Sequence, residues 1–272
     1  MSKQQIALLS GALILFIALS FLPKSVVDNE KGTVGEVLEL QKEIVEETHL
    51  EISETDKSKL DSLQAEFAKS ENSEKEVLFS DIISLYVANN RIDSAARFAE
   101  ANLAKNANWE EKKKVGDLYF NAFTFSFDNT EANRWAKKVG EYYEDLLKTR
   151  PDSLNLRVKV GLTLVSSQTP MQGILMIRGV LDKDIDNQLA IKSLGMLSIQ
   201  SKQYDKAIGR FERLIELNPN DLEAQYYLGV SQHELGKEAE AMATFEKLRK
   251  STSDANILQA VDGYLGEEHK EH

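Results

Sequence analysis

A period of 34 residues in the second half of the chain limits its possible folds more than any other feature of the sequence. The period emerges when "SLGMLSIQSKQYDKAIGRFERLIELNPND", which begins at Ser193, is aligned with "YLGVSQHELGKEAEAMATFEKLRKSTSD", which begins at Tyr227. The residues that match at this spacing are Gly195 with Gly229, Ala207 with Ala241, Phe211 with Phe245, and Leu214 with Leu248. A fixed period of this length indicates one packing unit that is used several times.

The residue types at the matched positions predict a helix-turn-helix unit. Gly195 and Gly229 are expected where two helices approach too closely for a side chain, and the matched alanines are expected to play the same part on the second helix. Asn218-Pro219 ends one unit, because proline biases the residue before it away from the helical region. The side chains expected to fill the seam between the helices are Tyr204, Phe211, Leu214, Leu228 and Phe245.

The combination of a 34-residue period, a Leu-Gly pair, an alanine, an aromatic residue four positions later and a proline near the end resembles the tetratricopeptide repeat. The resemblance implies an all-α, right-handed superhelical solenoid over residues 55–272. The repeat phase places the units at 76–109, 109–153, 154–187, 188–221 and 222–255, followed by a capping helix at 256–268.

The unit at 109–153 differs from the others because it contains about 11 extra residues around "NAFTFSFDNTEANR". The phenylalanines of this insertion, Phe123, Phe125 and Phe127, alternate as in a strand, which is unusual in an all-helical fold. We expect them to end a lengthened helix and pack on the neighbouring unit, with a contact to a partner protein as the alternative.

The first 24 residues predict a membrane anchor. Ile6–Leu22 is a run of 17 residues without a charge, which is at the short end for a membrane span. An uncleaved signal anchor over 1–24 is the favoured prediction, and a cleaved signal peptide and a buried helix are the alternatives. Lys3 precedes the run, so the positive-inside rule predicts a single-pass membrane protein with most of the chain outside the cytoplasm, periplasmic if the source is bacterial.

Residues 25–54 predict an acidic stalk between the anchor and the repeats. Nine acidic residues lie between Asp28 and Glu54, against only Lys31 and Lys42. Repulsion among like charges extends such a segment and gives the domain reach from the membrane. A thin apolar stripe leaves a second interpretation open, in which the segment is a helix that docks on the domain or on a partner.

Composition excludes several classes of function. The net charge of −11 and the absence of a Lys/Arg cluster argue against a nucleic-acid partner. No cysteine is present, which excludes disulfides, zinc-thiolate sites and thiol nucleophiles. The four histidines have no second ligand at helical spacing, and neither a phosphate-binding glycine loop nor a serine nucleophile motif occurs. We therefore expect a protein that is not an enzyme and needs no cofactor or metal.

The resemblance also implies a protein-binding site, because ligands of such repeats usually lie in a concave groove lined by the first helix of each unit. Met196 occupies the position at which family members that clamp a peptide carboxylate have asparagine, and Asp117 follows Lys113 in the same way, so such a clamp is not expected. The residues with groove phase are Asn155, Val158, Leu162, Val165, Leu189, Lys192, Met196, Ile199, Tyr226, Val230 and His233.

The floor of this groove is expected to be apolar, which suggests a helix or an extended hydrophobic segment as the ligand. The alternative is that the stalk or the C-terminal helix fills the groove, so that the same residues belong to the core.

Together these features predict a membrane-anchored interaction module that binds a protein or peptide. It would act either as a scaffold in an envelope complex or as a chaperone-like accessory of protein export. After signal cleavage it would instead be a soluble secreted repeat protein. An enzyme whose site forms only within a complex is the rival hypothesis.

Overall fold

The computed structural model describes residues 52–126 and 129–267, and within these ranges the chain forms twelve α-helices and no strand. The predicted anchor and nearly all of the predicted stalk lie outside the described residues. No helix in the described part is both long enough and apolar enough to cross a membrane. The helices are α1 (Glu54–Phe67), α2 (Asn72–Ala88), α3 (Ile92–Ala101), α4 (Trp109–Thr124), α5 (Asn129–Thr149), α6 (Leu154–Val165), α7 (Pro170–Leu181), α8 (Gln188–Gln200), α9 (Tyr204–Leu217), α10 (Leu222–Glu234), α11 (Glu238–Ser251) and α12 (Ala255–Glu267).

The helices belong to two compact units. The N-terminal unit contains the described residues up to Phe123 together with Thr130–Thr149, and the C-terminal unit contains Arg150 onward together with the short segment Thr124–Asn129. In the N-terminal unit, α1 and α2 enclose a core around Phe67 and Ile82, and the ring of Phe98 on α3 packs 5.3 Å from that of Phe67.

The extra residues of the 109–153 unit mostly lengthen its two helices. α4 has 16 residues and α5 has 21, against 13 and 14 in the pair α8–α9. Tyr119 of α4 stacks on Trp135 and Tyr142 of α5, with ring centroids 5.7 and 5.9 Å apart. Phe123 lies in the last turn of α4 and is fully buried, so the start of the alternating phenylalanines is helical.

In the C-terminal unit, glycine on each first helix faces a large side chain on the second helix. A Cβ added at Gly195 would lie 2.9 Å from the Phe211 ring, and one added at Gly229 would lie 2.6 Å from the Phe245 ring. Real Cβ atoms do not approach other heavy atoms this closely, so only glycine fits without displacing its neighbours. The close approach predicted at these glycines is confirmed.

Turns of one type join the two helices of several units. Asn90, Lys202 and Gly236 each adopt positive φ, at 56°, 55° and 78°. The residue after each one donates its amide to a carbonyl five positions earlier, as in Gln203 to Ser198 at 2.7 Å. This is the Schellman pattern, which satisfies carbonyls left free at a helix end. The turn geometry therefore recurs at the repeat spacing between Lys202 and Gly236.

The helix α12 covers the last repeat. Tyr264 stacks on Phe245 with ring centroids 4.6 Å apart, and Val261 is fully buried in the same cluster. The buried side of α12 therefore replaces the neighbour that a further repeat would otherwise provide.

Candidate functional site

The first helices of the C-terminal repeats, α6, α8 and α10, carry all the predicted groove residues, and we call their accessible side the first-helix face. Asn155 is exposed, and the other accessible members are only partly exposed: Leu189, Lys192, Tyr226 and His233. Six of the predicted residues are buried in the core: Val158, Leu162, Val165, Met196, Ile199 and Val230. The expectation that these six form an open apolar floor is therefore wrong in this structure.

The central helix α8 shows why the apolar floor is closed. Nine of its 13 residues are buried, Ala190–Ile191 and Ser193–Ile199. It packs on its own partner α9 and on α6 and α7 of the preceding repeat, so most of its circumference is covered. Met196 points into these contacts and is only 1% exposed. Lys192 belongs to the narrow strip that still reaches solvent.

At the C-terminal end of the face, α12 covers the predicted groove residues, as one of the alternatives foresaw. The ring of Tyr264 lies 6.4 Å from that of Tyr226 and 5.2 Å from that of His233. His233 also approaches Glu238, with Nδ1 and Oε2 2.9 Å apart. Val230 packs in the cluster that contains Val261 of α12. These positions are therefore partly or wholly occupied by the chain itself.

A largely buried ion pair joins two repeats on the first-helix face. The Lys192 ammonium group contacts Oε2 of Glu223, whose side chain is only 8% exposed. The other oxygen, Oε1, is buried and has no hydrogen-bond partner among the described residues. Burial raises the pKa of Glu223, and the charge of Lys192 opposes this rise. The pair thus holds a carboxylate whose capacity to accept hydrogen bonds is only half used.

The peptide-carboxylate clamp has no free lysine at either expected position. Lys192 is engaged by Glu223, and the ammonium of Lys113 lies 2.6 Å from Oδ2 of Asp117. The hydroxyl of Tyr143 donates to the other oxygen of Asp117 at 2.6 Å. Both lysines are thus neutralised within the chain, and a ligand carboxylate would have to displace a carboxylate already in place.

Sequence reasoning missed a second polar cluster, which lies in the N-terminal unit. Glu100 accepts hydrogen bonds from Tyr119 at 2.5 Å, Lys138 at 2.8 Å and Tyr142 at 3.1 Å. Burial raises the pKa of Glu100, but the three donors outweigh it and the net effect is a lowered pKa. The cluster links α3 to α4 and α5 and is a structural tie. No local motif announces it, because its members are up to 42 residues apart.

Metal chemistry finds no support in the described ranges. No group of three or more His, Asp or Glu side chains there is arranged to hold a metal ion.

Comparison with known proteins identifies the repeat. Residues 194–256 match the family model of the tetratricopeptide repeat. A tetratricopeptide repeat protein of Parabacteroides merdae ATCC 43184 aligns with TM-score 0.54 and 20% identity over 85% of this chain and 87% of its own. A thermophilic repeat protein of Thermus thermophilus aligns with TM-score 0.51 and 15% identity over 68% and 96%. MamA of Desulfovibrio magneticus RS-1 aligns with TM-score 0.45 and 17% identity over 64% and 93%. No curated protein sequence matches the chain.

These likenesses show the fold: the chain is an all-α repeat protein of the tetratricopeptide type. Repeats that stack in this way present extended surfaces to proteins and peptides, and scaffolds built from them are generally non-catalytic. Protein interaction is therefore the class of function to which the fold points.

Proposed function

We propose that the protein is a non-catalytic interaction module that binds a protein or peptide partner on the first-helix face. The binding residues in this proposal are the accessible members of the predicted set, Asn155, Leu189, Lys192, Tyr226 and His233. The observation that carries the proposal is the Lys192–Glu223 pair, because its second carboxylate oxygen is buried and unpartnered in the described part of the chain.

A carboxylate in this position favours a ligand that brings a hydrogen-bond donor. An unsatisfied buried acceptor costs about 1–3 kcal/mol, and a backbone amide of a bound peptide would remove that cost. Lys192 fixes the carboxylate, so the acceptor is already oriented before the ligand arrives. Leu189, one turn before Lys192 on α8, offers a partly exposed apolar contact beside it.

We further propose that the module works at a membrane, with residues 6–22 as a single-pass anchor, residues 25–54 as a stalk and the repeats outside the cytoplasm. The uncharged run of 17 residues and the acidic composition that follows support this arrangement. The anchor would raise the concentration of the module near other membrane proteins, so a subunit of an envelope complex is the proposed partner. The intact mass of the mature protein tests the anchor, because signal cleavage would remove about 24 residues.

Photo-crosslinking in intact cells tests the binding site. Met196 is buried, so the photoreactive residue is placed at Leu189, with a control on the second helix at exposed Glu212. One dominant adduct at 189 and none at 212 would support a dedicated scaffold. A broad set of exported proteins at 189 would replace the scaffold by a holding chaperone. Adducts only to the chain itself, or equal adducts at both positions, would overturn the site.

A further inference from the structure

A second surface lies on α7, and it combines exposed apolar side chains with a shallow depression. Met171 is 61% exposed and Leu175 is 57% exposed, although both are large and apolar. A depression of about 440 Å³ opens beside them, lined by Arg157, Gln172, Leu175, Met176, Gly179 and Lys183. These residues, together with Met171 and Arg178, are called the α7 surface below.

The depression owes part of its depth to glycine. Nothing lies within 4 Å of the position that a Cβ of Gly179 would occupy. Leu175 lies one turn before Gly179 on the same side of the helix, so a ridge of apolar side chain adjoins a dent. Two methionines border it, and methionine adapts its shape to different apolar ligands. The geometry suits an inserted aliphatic side chain.

The charge of the α7 surface is opposite to that of the chain as a whole. Residues 154–181 contain Arg157, Lys159 and Arg178 and no acidic residue, whereas the complete chain has a net charge of −11. No carboxylate of the described residues lies within 4.0 Å of the charged groups of Arg157, Arg178 or Lys183. In contrast, Arg213 pairs with both Asp186 and Glu216.

Two further contacts show that the positive charge is held in place. The Nε of Arg157 donates to the carbonyl of Pro151 at 2.9 Å, which anchors the guanidinium at the edge of the depression. The pKa of Arg210 is lowered, first by burial and then by the nearby charge of Arg178. Cations therefore crowd together here without acidic neighbours to compensate them.

We infer that the α7 surface binds an acidic amphipathic helix of a partner protein. Aliphatic side chains one turn apart on that helix would fill the dent beside Leu175, and flanking carboxylates would meet Arg157, Arg178 and Lys183. Exposed apolar area rimmed by unpaired charge is typical of an interaction site. The surface lies on a second helix, apart from Arg157, so this inference does not depend on binding at the first-helix face.

A designed peptide tests the inference on the full-length chain. The probe is a fluorescein-labelled helix of about 18 residues in which leucines recur at i, i+4 and i+7 and all other positions are Glu or Ala. Two control peptides replace every Glu by Lys or scramble the leucine spacing. Fluorescence anisotropy gives the Kd of each. We expect the acidic helix to bind, the basic helix to fail, and added salt to weaken the complex.

Matched variants locate the binding. Leu175→Glu is compared with Val77→Glu, which changes a residue of α2 that is 61% exposed. Both sites are more than half exposed, so both variants should keep the far-UV CD spectrum of the parent. We expect Leu175→Glu to weaken the Kd at least about tenfold and Val77→Glu to leave it within about twofold. Equal effects of the two variants, or equal binding of the acidic and basic peptides, would overturn the inference.

A photoreactive residue at position 175 identifies the natural occupant in cells. An adduct to an acidic, helix-forming segment of another protein supports the inference when the cross-linked peptide itself is sequenced. Adducts to residues 28–54 of the same chain, or to a second copy, would assign the surface to those occupants and overturn it. Leu175→Glu should leave crosslinking from position 189 unchanged, so failure of one proposal is distinguishable from failure of the other.

Discussion

Gly173 in α7 is the position at which a single added methyl group should harm the fold most clearly. A Cβ there would lie 2.3 Å from the carbonyl oxygen of Gly161 and 2.6 Å from the backbone nitrogen of Val165. Both atoms belong to the backbone of α6 and cannot rotate away as a side chain would. The variant Gly173→Ala therefore requires α6 and α7 to separate, which loosens the most intimate helix pair of the C-terminal unit.

The expected magnitude follows from two opposing effects. Alanine is favoured over glycine inside a helix by about 1 kcal/mol. Overpacking a well-filled interior costs about 1–3 kcal/mol, and occasionally more. Because the clash at Gly173 is with backbone, the cost should be at or above the top of that range, for a net loss of about 2 kcal/mol. At exposed Gly209 on α9 nothing lies within 4 Å of the added Cβ, so Gly209→Ala should gain about 0.5–1 kcal/mol.

Urea unfolding followed by far-UV CD measures both variants against the parent. Gly173→Ala should lower the midpoint and Gly209→Ala should raise it, with an unchanged dependence on urea so that the free energies are comparable. The reasoning is refuted if Gly173→Ala proves as stable as the parent, because the close approach of the helices would then be more adaptable than its geometry implies.

Three further predictions concern the ion pair, the polar tie and the turn. Lys192→Met leaves the Glu223 carboxylate buried without its partner, so it should lower the free energy of unfolding by about 3 kcal/mol. The double variant with Glu223→Leu should recover most of that loss in a urea double-mutant cycle, and simple additivity would contradict the pairing. The lowered pKa of Glu100 means that its charged form adds stability above its ordinary value of 4.5, and that this stability is lost as pH falls through the lowered pKa. The difference in urea midpoint between the parent and Glu100→Gln should accordingly shrink between about pH 7 and about pH 3, and a constant difference would disprove the role of the charge. Lys202 has φ of 55°, so Lys202→Gly should raise the thermal midpoint by relieving about 1 kcal/mol of strain, whereas Lys206→Gly inside α9 should lower it.

The parts of the fold that could be predicted from sequence are those fixed within one repeat. The approach of Gly195 to Phe211 and of Gly229 to Phe245 is set by two helices joined through a short turn, and the period of the sequence records it directly. The breaks between helices were also readable, since Asp221 stands after Asn218-Pro219 and accepts the amide of Ala224 at 2.9 Å as a helix N-cap.

The accessible surface could not be read in the same way, because it depends on neighbouring repeats. Met196 has groove phase, but adjacent helices cover it, and a shift of one position turns a helical residue by about 100°. Burial of Glu223 depends on α8 of another repeat and leaves no trace in its own helix. The exposed Leu175 was equally hidden, because its repeat deviates most from the shared pattern and its apolar residues look like core.

The helix α12 has a consequence for assembly that reaches beyond the single chain. Stacked repeats bury one end against the next unit, so an uncapped end is a surface onto which another molecule can dock head to tail, and such contacts propagate into filaments. The outward side of α12 instead presents Asn256, Gln259 and Asp262, with no large apolar side chain exposed on that helix. A polar end of this kind terminates growth at one extremity and protects a concentrated population of the protein from polymerisation.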